Sequence, residues 1–290
     1  MQTNRREFIQ QAGLLSAGLM IKPTALLPRL HKDVGLQLYT VREQIAKDVP
    51  GVMAKVAAAG YTNAEPSGYT RENKFWGVDV KGFKAILDQN NLISTSGLYM
   101  IDLGGQKDYD DAKHYCDVAN TLGEKYIVVS WIYEQYRKSI DDYKVLAEKM
   151  NQTGEVLKAA GIQLAYHNHD FEFGDMGGQR GYDILLSETD PKLIEMEMDI
   201  FWVVHGKADP IALFQQYPGR FKLWHVKDMD KTNRDLNTEV GTGTIDYKKI
   251  FSYSKLAGVE YAFIEQENFV MDWDASITQN AVYLKNELLK

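Results

Sequence analysis

The sequence predicts an α/β protein built as a single (β/α)8 TIM barrel. From residue 34 onward, short apolar runs alternate with longer amphipathic ones, the pattern of a parallel sheet with crossover helices. Eight such pairs fit within the 290 residues, and a TIM barrel takes about 250. Glycine stands just past several helical runs, at Gly60, Gly123, Gly161 and Gly258, where a left-handed residue ends a helix. An open doubly wound sheet is the alternative, weakened because no Gly-x-Gly-x-x-Gly follows the first strand. No linker or low-complexity run divides the chain, so residues 32–290 are expected to form one barrel.

In order, the first strand is read over 34–39 and a helix over 43–59. A weak strand at 62–66 precedes a helix at 80–90. The third strand, 92–98, is followed by a helix at 109–122, and the fourth, 125–132, by a long helix at 141–160. The fifth strand starts at Ile162, with a short helix at 182–188. Strand six, 193–199, leads to a helix at 210–216, and strand seven, 221–226, to a helix at 247–256. Strand eight at 261–265 and a helix at 275–289 complete the series.

Residues 1–31 are read as an export leader and linker. Thr3-Asn4-Arg5-Arg6-Glu7-Phe8-Ile9 followed by the apolar run 12–21 resembles a twin-arginine leader. That run has the length of a signal h-region and is too short to span a bilayer. The resemblance implies a periplasmic protein, or a cytoplasmic one if the leader does not act. An uncleaved N-terminal helix is the competing reading, since no Ala-x-Ala site follows. No other stretch is long and apolar enough for a membrane span. The net charge of −7 argues against a nucleic-acid partner, which would require a basic face for phosphate contact. Cys116 is the only cysteine, so there is no intrachain disulfide; a buried thiol is expected.

The chemistry is concentrated at the C-terminal ends of the strands, where a barrel places its active site. The stretch 162–173 begins apolar and ends in His167, His169, Asp170 and Glu172. Alternate residues of a strand share a face, so His167 and His169 point the same way. The other strand ends supply Glu65, Asp199, His225 with Lys227, and Glu265 with Glu267. Singly, each has an ordinary explanation: Asp199 as a cap, His225 as a satisfied core histidine, Glu265 as a partner of Lys227. Together they are hard to explain as packing, because buried charges are costly unless paired or bound to metal. A mixed imidazole and carboxylate set favours Mn, Co, Fe or Zn over Ca. Tyr39, Tyr99, Trp131, Phe201 and Trp202 are either sugar-stacking faces at the mouth or core. His205 either touches substrate or caps the next helix.

These residues carry a resemblance. Gly35-Leu36-Gln37-Leu38-Tyr39-Thr40-Val41-Arg42, Tyr166-His167-Asn168-His169, Met198-Asp199, His225-Val226-Lys227-Asp228, Gly241-Thr242-Gly243-Thr244-Ile245-Asp246 and Ile264-Glu265-Gln266-Glu267 are similar to the xylose-isomerase-like TIM-barrel superfamily of sugar isomerases, epimerases and inosose dehydratases. The resemblance covers residue 34 to the C-terminus. It implies one divalent ion (Mn, Co, Zn or Mg) held from strands five to eight, here by His167, Asp199, His225 and Glu265. His167 stands where the epimerase branch has a glutamate. That departure puts symmetric two-carboxylate proton exchange in doubt.

The resemblance further implies a sugar or sugar-derivative substrate, and Tyr39, Glu65, His169, Trp202, His205 and Glu267 are read as its contacts. Glu265, His167 and Lys227 are the implied catalytic residues, acting by α-proton abstraction through a metal-stabilised enediolate. An isomerase or epimerase is the first reading. A metal-dependent lyase or dehydratase on a keto-sugar, keto-glycoside or inosose is the second, and a non-catalytic carbohydrate-binding barrel the third. A metal nuclease is disfavoured by the charge. Homo-oligomerisation is left open.

Overall fold

In the computed structural model, residues 30–103 and 108–290 are described. The expected leader therefore lies outside the described residues except for its last two. There, the His31 N–H donates to the Glu260 carbonyl at 2.8 Å, and the His31 ring stacks on Tyr261 at 4.5 Å. The chain thus enters at the N-terminal end of the barrel.

Eight parallel strands form the barrel: β1 (Gly35–Gln37), β2 (Asn63–Glu65), β3 (Ser96–Tyr99), β4 (Tyr126–Val129), β5 (Gln163–His167), β6 (Ile194–Asp199), β7 (Leu223–Val226) and β8 (Tyr261–Ile264). Their spatial order is β2-β1-β8-β7-β6-β5-β4-β3, so each lies beside its neighbour in sequence. The ring is drawn together between β2 and β3 by isolated backbone bonds in place of a continuous ladder. The Ala64 N–H donates to the Ile93 carbonyl at 2.9 Å, and the Leu98 N–H to the Pro66 carbonyl at 2.8 Å. The single (β/α)8 barrel expected from the alternation is the fold observed.

Side-chain alternation divides the core in two. Leu98, Tyr126, Val128, Ala165, Leu223 and Phe263 fill the lower interior. Leu36, Ile127, Tyr166, Met196, Trp224 and Ile264 face the helices. Gly35 makes room for the interior filling: a Cβ there would lie 2.5 Å from the Phe263 ring.

Several elements depart from the sequence reading. The helix expected over 43–59 is two pieces, Arg42–Ile45 and Val49–Ala58. Pro50 lacks an N–H and suits only a first helical turn, and Asp48 caps that turn through the Gly51 N–H. The helix expected over 247–256 is Tyr247–Phe251 and Ser254–Ala257, ended by Gly258 at φ 82°. A helix at Ile200–His205 follows β6 without a loop, because the Asp199 carboxylate caps it through the Trp202 N–H. Among the described residues, no helix is long and apolar enough to cross a membrane.

Candidate active site

Strands β5 to β8 are adjacent, and their ends carry His167, Asp199, His225, Lys227 and Glu265 into one buried cluster. Asn168 joins the first two ends. Its amide donates to the Asp199 carbonyl and accepts from the Asp199 N–H, both at 3.2 Å. The His167 and His225 rings lie 4.6 Å apart. His225 Nδ1 is 2.9 Å from Glu265 Oε2, and its Nε2 is 2.7 Å from Glu65 Oε2 and 3.2 Å from Glu197 Oε2. Burial opposes a charge on His225, but Glu197 and Glu65 outweigh it and raise its pKa well above the ordinary histidine value. His167 is the opposite case: burial, then the His225, His169 and Lys227 charges, push it well below.

Glu197 was missed in the sequence reading. It is wholly buried, and its Oε2 lies 3.0 Å from His167 Nδ1. The signal for it was present, since Glu195, Glu197 and Asp199 recur at every second residue of one strand, the period that sends all three inward. Glu65, expected at the substrate, instead lies wholly buried behind His225. Gln37 Nε2 donates to its Oε2 at 2.8 Å, and the Ser96 hydroxyl donates to its other oxygen.

Lys227 is a second buried cation of the cluster beside His225. It pairs with Glu267 and stands 3.8 Å from Glu265 and 3.9 Å from Asp199. Burial lowers its pKa, but Glu265, Asp199 and Glu267 together raise it above the usual lysine value. For Glu265, burial acts upward, and Lys227 and His225 overcome it to hold the carboxyl down at about 2. Asp199 is pushed up to about 7 by burial, against the pull of Lys227. Its Oδ2 is buried without a hydrogen-bond partner.

Above the cluster opens a cavity of about 460 Å³, walled by Tyr39, Met100, Trp131 and Trp202, with His167, His169, Glu265 and Glu267 supplying its polar side. His169 packs edge-on to Trp131 at 4.7 Å and stacks on Phe171 at 5.5 Å; its Nδ1 is buried and unpartnered. Burial, then the Lys227 charge, hold it down at about 3, so it is neutral. Glu172 fixes this loop from below by accepting the His169 N–H, at 3.1 and 3.0 Å to its two oxygens. Glu267 is set by its backbone N–H, which donates to Asn237 at 2.7 Å.

Two residues expected near substrate are not in the cavity wall. Glu65 is one, closed off beneath His225. His205 is the other: its ring is held between Asp170 at 3.0 Å and Asp235 at 2.9 Å, tying two rim loops together. Of the aromatics, Tyr99 and Phe201 are core.

The profile of the xylose isomerase-like TIM barrel family matches residues 53–285. The chain belongs to this family. Among curated relatives, the inosose dehydratase of Clostridium beijerinckii is 26% identical over 233 residues, 69% of this chain and 75% of that protein. The inosose dehydratase of Lacticaseibacillus casei is 25% identical over 249 residues, 73% and 80% of the two chains. Among solved structures, a sugar phosphate isomerase/epimerase from Parabacteroides distasonis superposes with a TM-score of 0.78 at 27% identity, covering 90% of this chain and 100% of that one. The IOLI protein with a bound zinc atom has a TM-score of 0.70 at 13% identity, covering 88% and 99%, a likeness of fold alone. The family match and the curated relatives support an enzyme of the xylose isomerase-like kind.

The donor set of this member of the family suits a divalent ion. Among the described residues, the ligand atoms of His167, Asp199 and His225 all lie within 4.8 Å of one another, and so do those of Glu65, Glu197 and His225. Asp199, a member of the first group, has one oxygen, Oδ2, without a hydrogen-bond partner, the Lys227 ammonium standing 3.9 Å away. A buried carboxylate oxygen without a donor is costly unless a cation completes it.

Proposed function

We propose that this barrel is a metal-dependent lyase that removes water, or another β-leaving group, from a keto-sugar or keto-cyclitol. The observation that carries this reading is the asymmetry of the cavity. Strand five offers imidazoles, His167 and His169, where two-faced proton exchange would call for a carboxylate opposite Glu265. His167, Asp199 and His225, with Glu265 beside His225, are the residues that would hold the ion (Mn, Co, Zn or Mg), which when bound polarises the substrate carbonyl.

The chain's own residues supply the rest. His169 lines the cavity on the fifth-strand side and is placed to take the α-proton. As the C–H bond breaks, its electron pair forms the C=C bond and the β-C–O bond breaks. The departing oxygen takes the proton from the His169 imidazolium and leaves as water. Lys227, close to Glu265 and Glu267, places a fixed positive charge where the enolate charge develops. Trp131 and Trp202 offer faces to the ring of the substrate and exclude water. The inosose dehydratase relatives support an elimination.

An isomerase or epimerase is the second reading, favoured by the 27% identical sugar phosphate isomerase/epimerase. Incubation of the Mn- or Co-loaded enzyme with keto-inositols and keto-glucosides in deuterated water distinguishes the two. A lyase yields a product lighter by one water, with conjugated-carbonyl absorbance. A product of unchanged composition carrying solvent deuterium at the α-carbon overturns the lyase reading in favour of the second. Sugar binding without turnover, unaltered by chelator, supports the non-catalytic barrel.

A further inference from the structure

Beneath the cavity, the network of Glu65, Glu197, Gln37 and Ser96 is wholly buried and has no opening to substrate. One oxygen, Glu197 Oε2, lies 3.0 Å from His167 Nδ1 and 3.2 Å from His225 Nε2. Glu65 Oε2 stands 2.7 Å from the same His225 nitrogen. We propose that Glu197, backed by Glu65, is a positioning residue that sets the tautomers of both imidazoles offered to the metal, an inference that rests on the metal-dependent reading above.

A neutral imidazole carries one N–H and one bare nitrogen, and only the bare nitrogen ligates. An oxygen that faces two ring nitrogens satisfies both by accepting. The carboxyl's other oxygen, Oε1, has no partner, so its ring contacts fall on Oε2 alone, which as a carboxylate oxygen accepts from both rings. His167 is thereby protonated at Nδ1, with Nε2 left as its donor atom. His225 is protonated at Nε2, leaving Nδ1, the nitrogen beside Glu265, as the one on which a cation would replace a proton. Glu65 is itself oriented by Gln37 and Ser96, so β1, β2, β3 and β6 together fix the orientation of ligands on β5 and β7. Outer carboxylates of this kind are typically worth 10–100-fold in metal affinity.

Two measurements test the assignment. In nitrogen-15 NMR of histidine-labelled, metal-free protein, His167 is expected as the Nδ1–H tautomer. A proton on Nε2 with Nδ1 bare overturns the proposal, and this readout needs no variant. In Co(II) titration followed by the visible spectrum, Glu197→Gln, which keeps the side-chain volume, is expected to weaken binding by about 10–100-fold, with an altered spectrum and a melting point near the parent's. Parental affinity and spectrum in Glu197→Gln overturn the positioning role. Asp199→Ala serves as the control. If it loses Co(II) while Glu197→Gln retains it, only the positioning role falls. If Asp199→Ala also binds like the parent, the metal reading fails and this inference with it.

Discussion

Lys227 and Glu267 form an ion pair at the mouth of the barrel, the lysine wholly buried and the glutamate partly open to the cavity. The same ammonium lies within 4 Å of Asp199 and Glu265, so one cation faces three carboxyl groups, with His225 sharing Glu265. Removing it in Lys227→Met leaves uncompensated buried charge, which costs about 3–5 kcal/mol. The melting temperature should fall, and added Mn should raise it further in the variant than in the parent, because a divalent cation restores the charge balance. Turnover should drop by at least about 100-fold. Calorimetry with and without Mn, alongside steady-state kinetics, provides the check.

The two histidines of the fifth strand should separate by role. Asp199→Ala and His167→Ala should lose most Mn or Co affinity and keep the circular dichroism of the barrel, because the apolar interior filled by Val128, Ala165, Leu223 and Phe263 is untouched. His169→Ala should bind metal like the parent and lose turnover. If Asp199→Ala and His167→Ala both titrate like the parent, the metal site is drawn wrongly.

Glu124 gives a pH signature away from the site. It is buried beneath β3 and β4 and accepts from the Tyr99 hydroxyl at 2.6 Å and the Ser94 hydroxyl at 3.0 Å. Burial pushes its pKa up from 4.5 to about 8, against those hydrogen bonds. The folded state therefore keeps a proton that the unfolded state releases between these values, and stability falls as pH rises through that window. The slope is at most about 1.4 kcal/mol per pH unit. Glu124→Gln should flatten it. Urea midpoints at about pH 5 and pH 8 for both proteins measure the difference, and parallel pH dependence in parent and variant would exclude Glu124 as the cause.

The leader reading is tested in the host. Arg5→Lys combined with Arg6→Lys should hold the protein in the cytoplasm if a twin-arginine route exports it. Unchanged fractionation of the double variant removes that proposal.

The barrel was legible in the sequence because it rests on local regularities. Alternating periodicities, and glycines such as Gly161 and Gly258 at the ends of helices, report backbone geometry within a few residues. The strand ends were legible for a related reason. A parallel barrel sends every strand's last inward residue to one rim, so Asp199, His225 and Glu265 could be grouped although they are far apart in the chain. Where the reading slipped locally, the cause was side-chain capping. Asp48 and Pro50 start a new helix inside an expected one, and Asp199 begins a helix where a loop was expected.

Depth and partnership were decided only by the tertiary structure. Glu65, Glu197 and Glu267 are the same residue type in strands or their immediate extensions. The register and tilt of the barrel place Glu65 and Glu197 against His225 with no exposure, and Glu267 at the cavity beside Lys227. His205, close to Trp202 in sequence, is turned away into a clasp between Asp170 and Asp235. A sequence sets which residues share the face of a strand. Which carboxylate meets which imidazole depends on distances across neighbouring strands, and those exist only once the ring has closed.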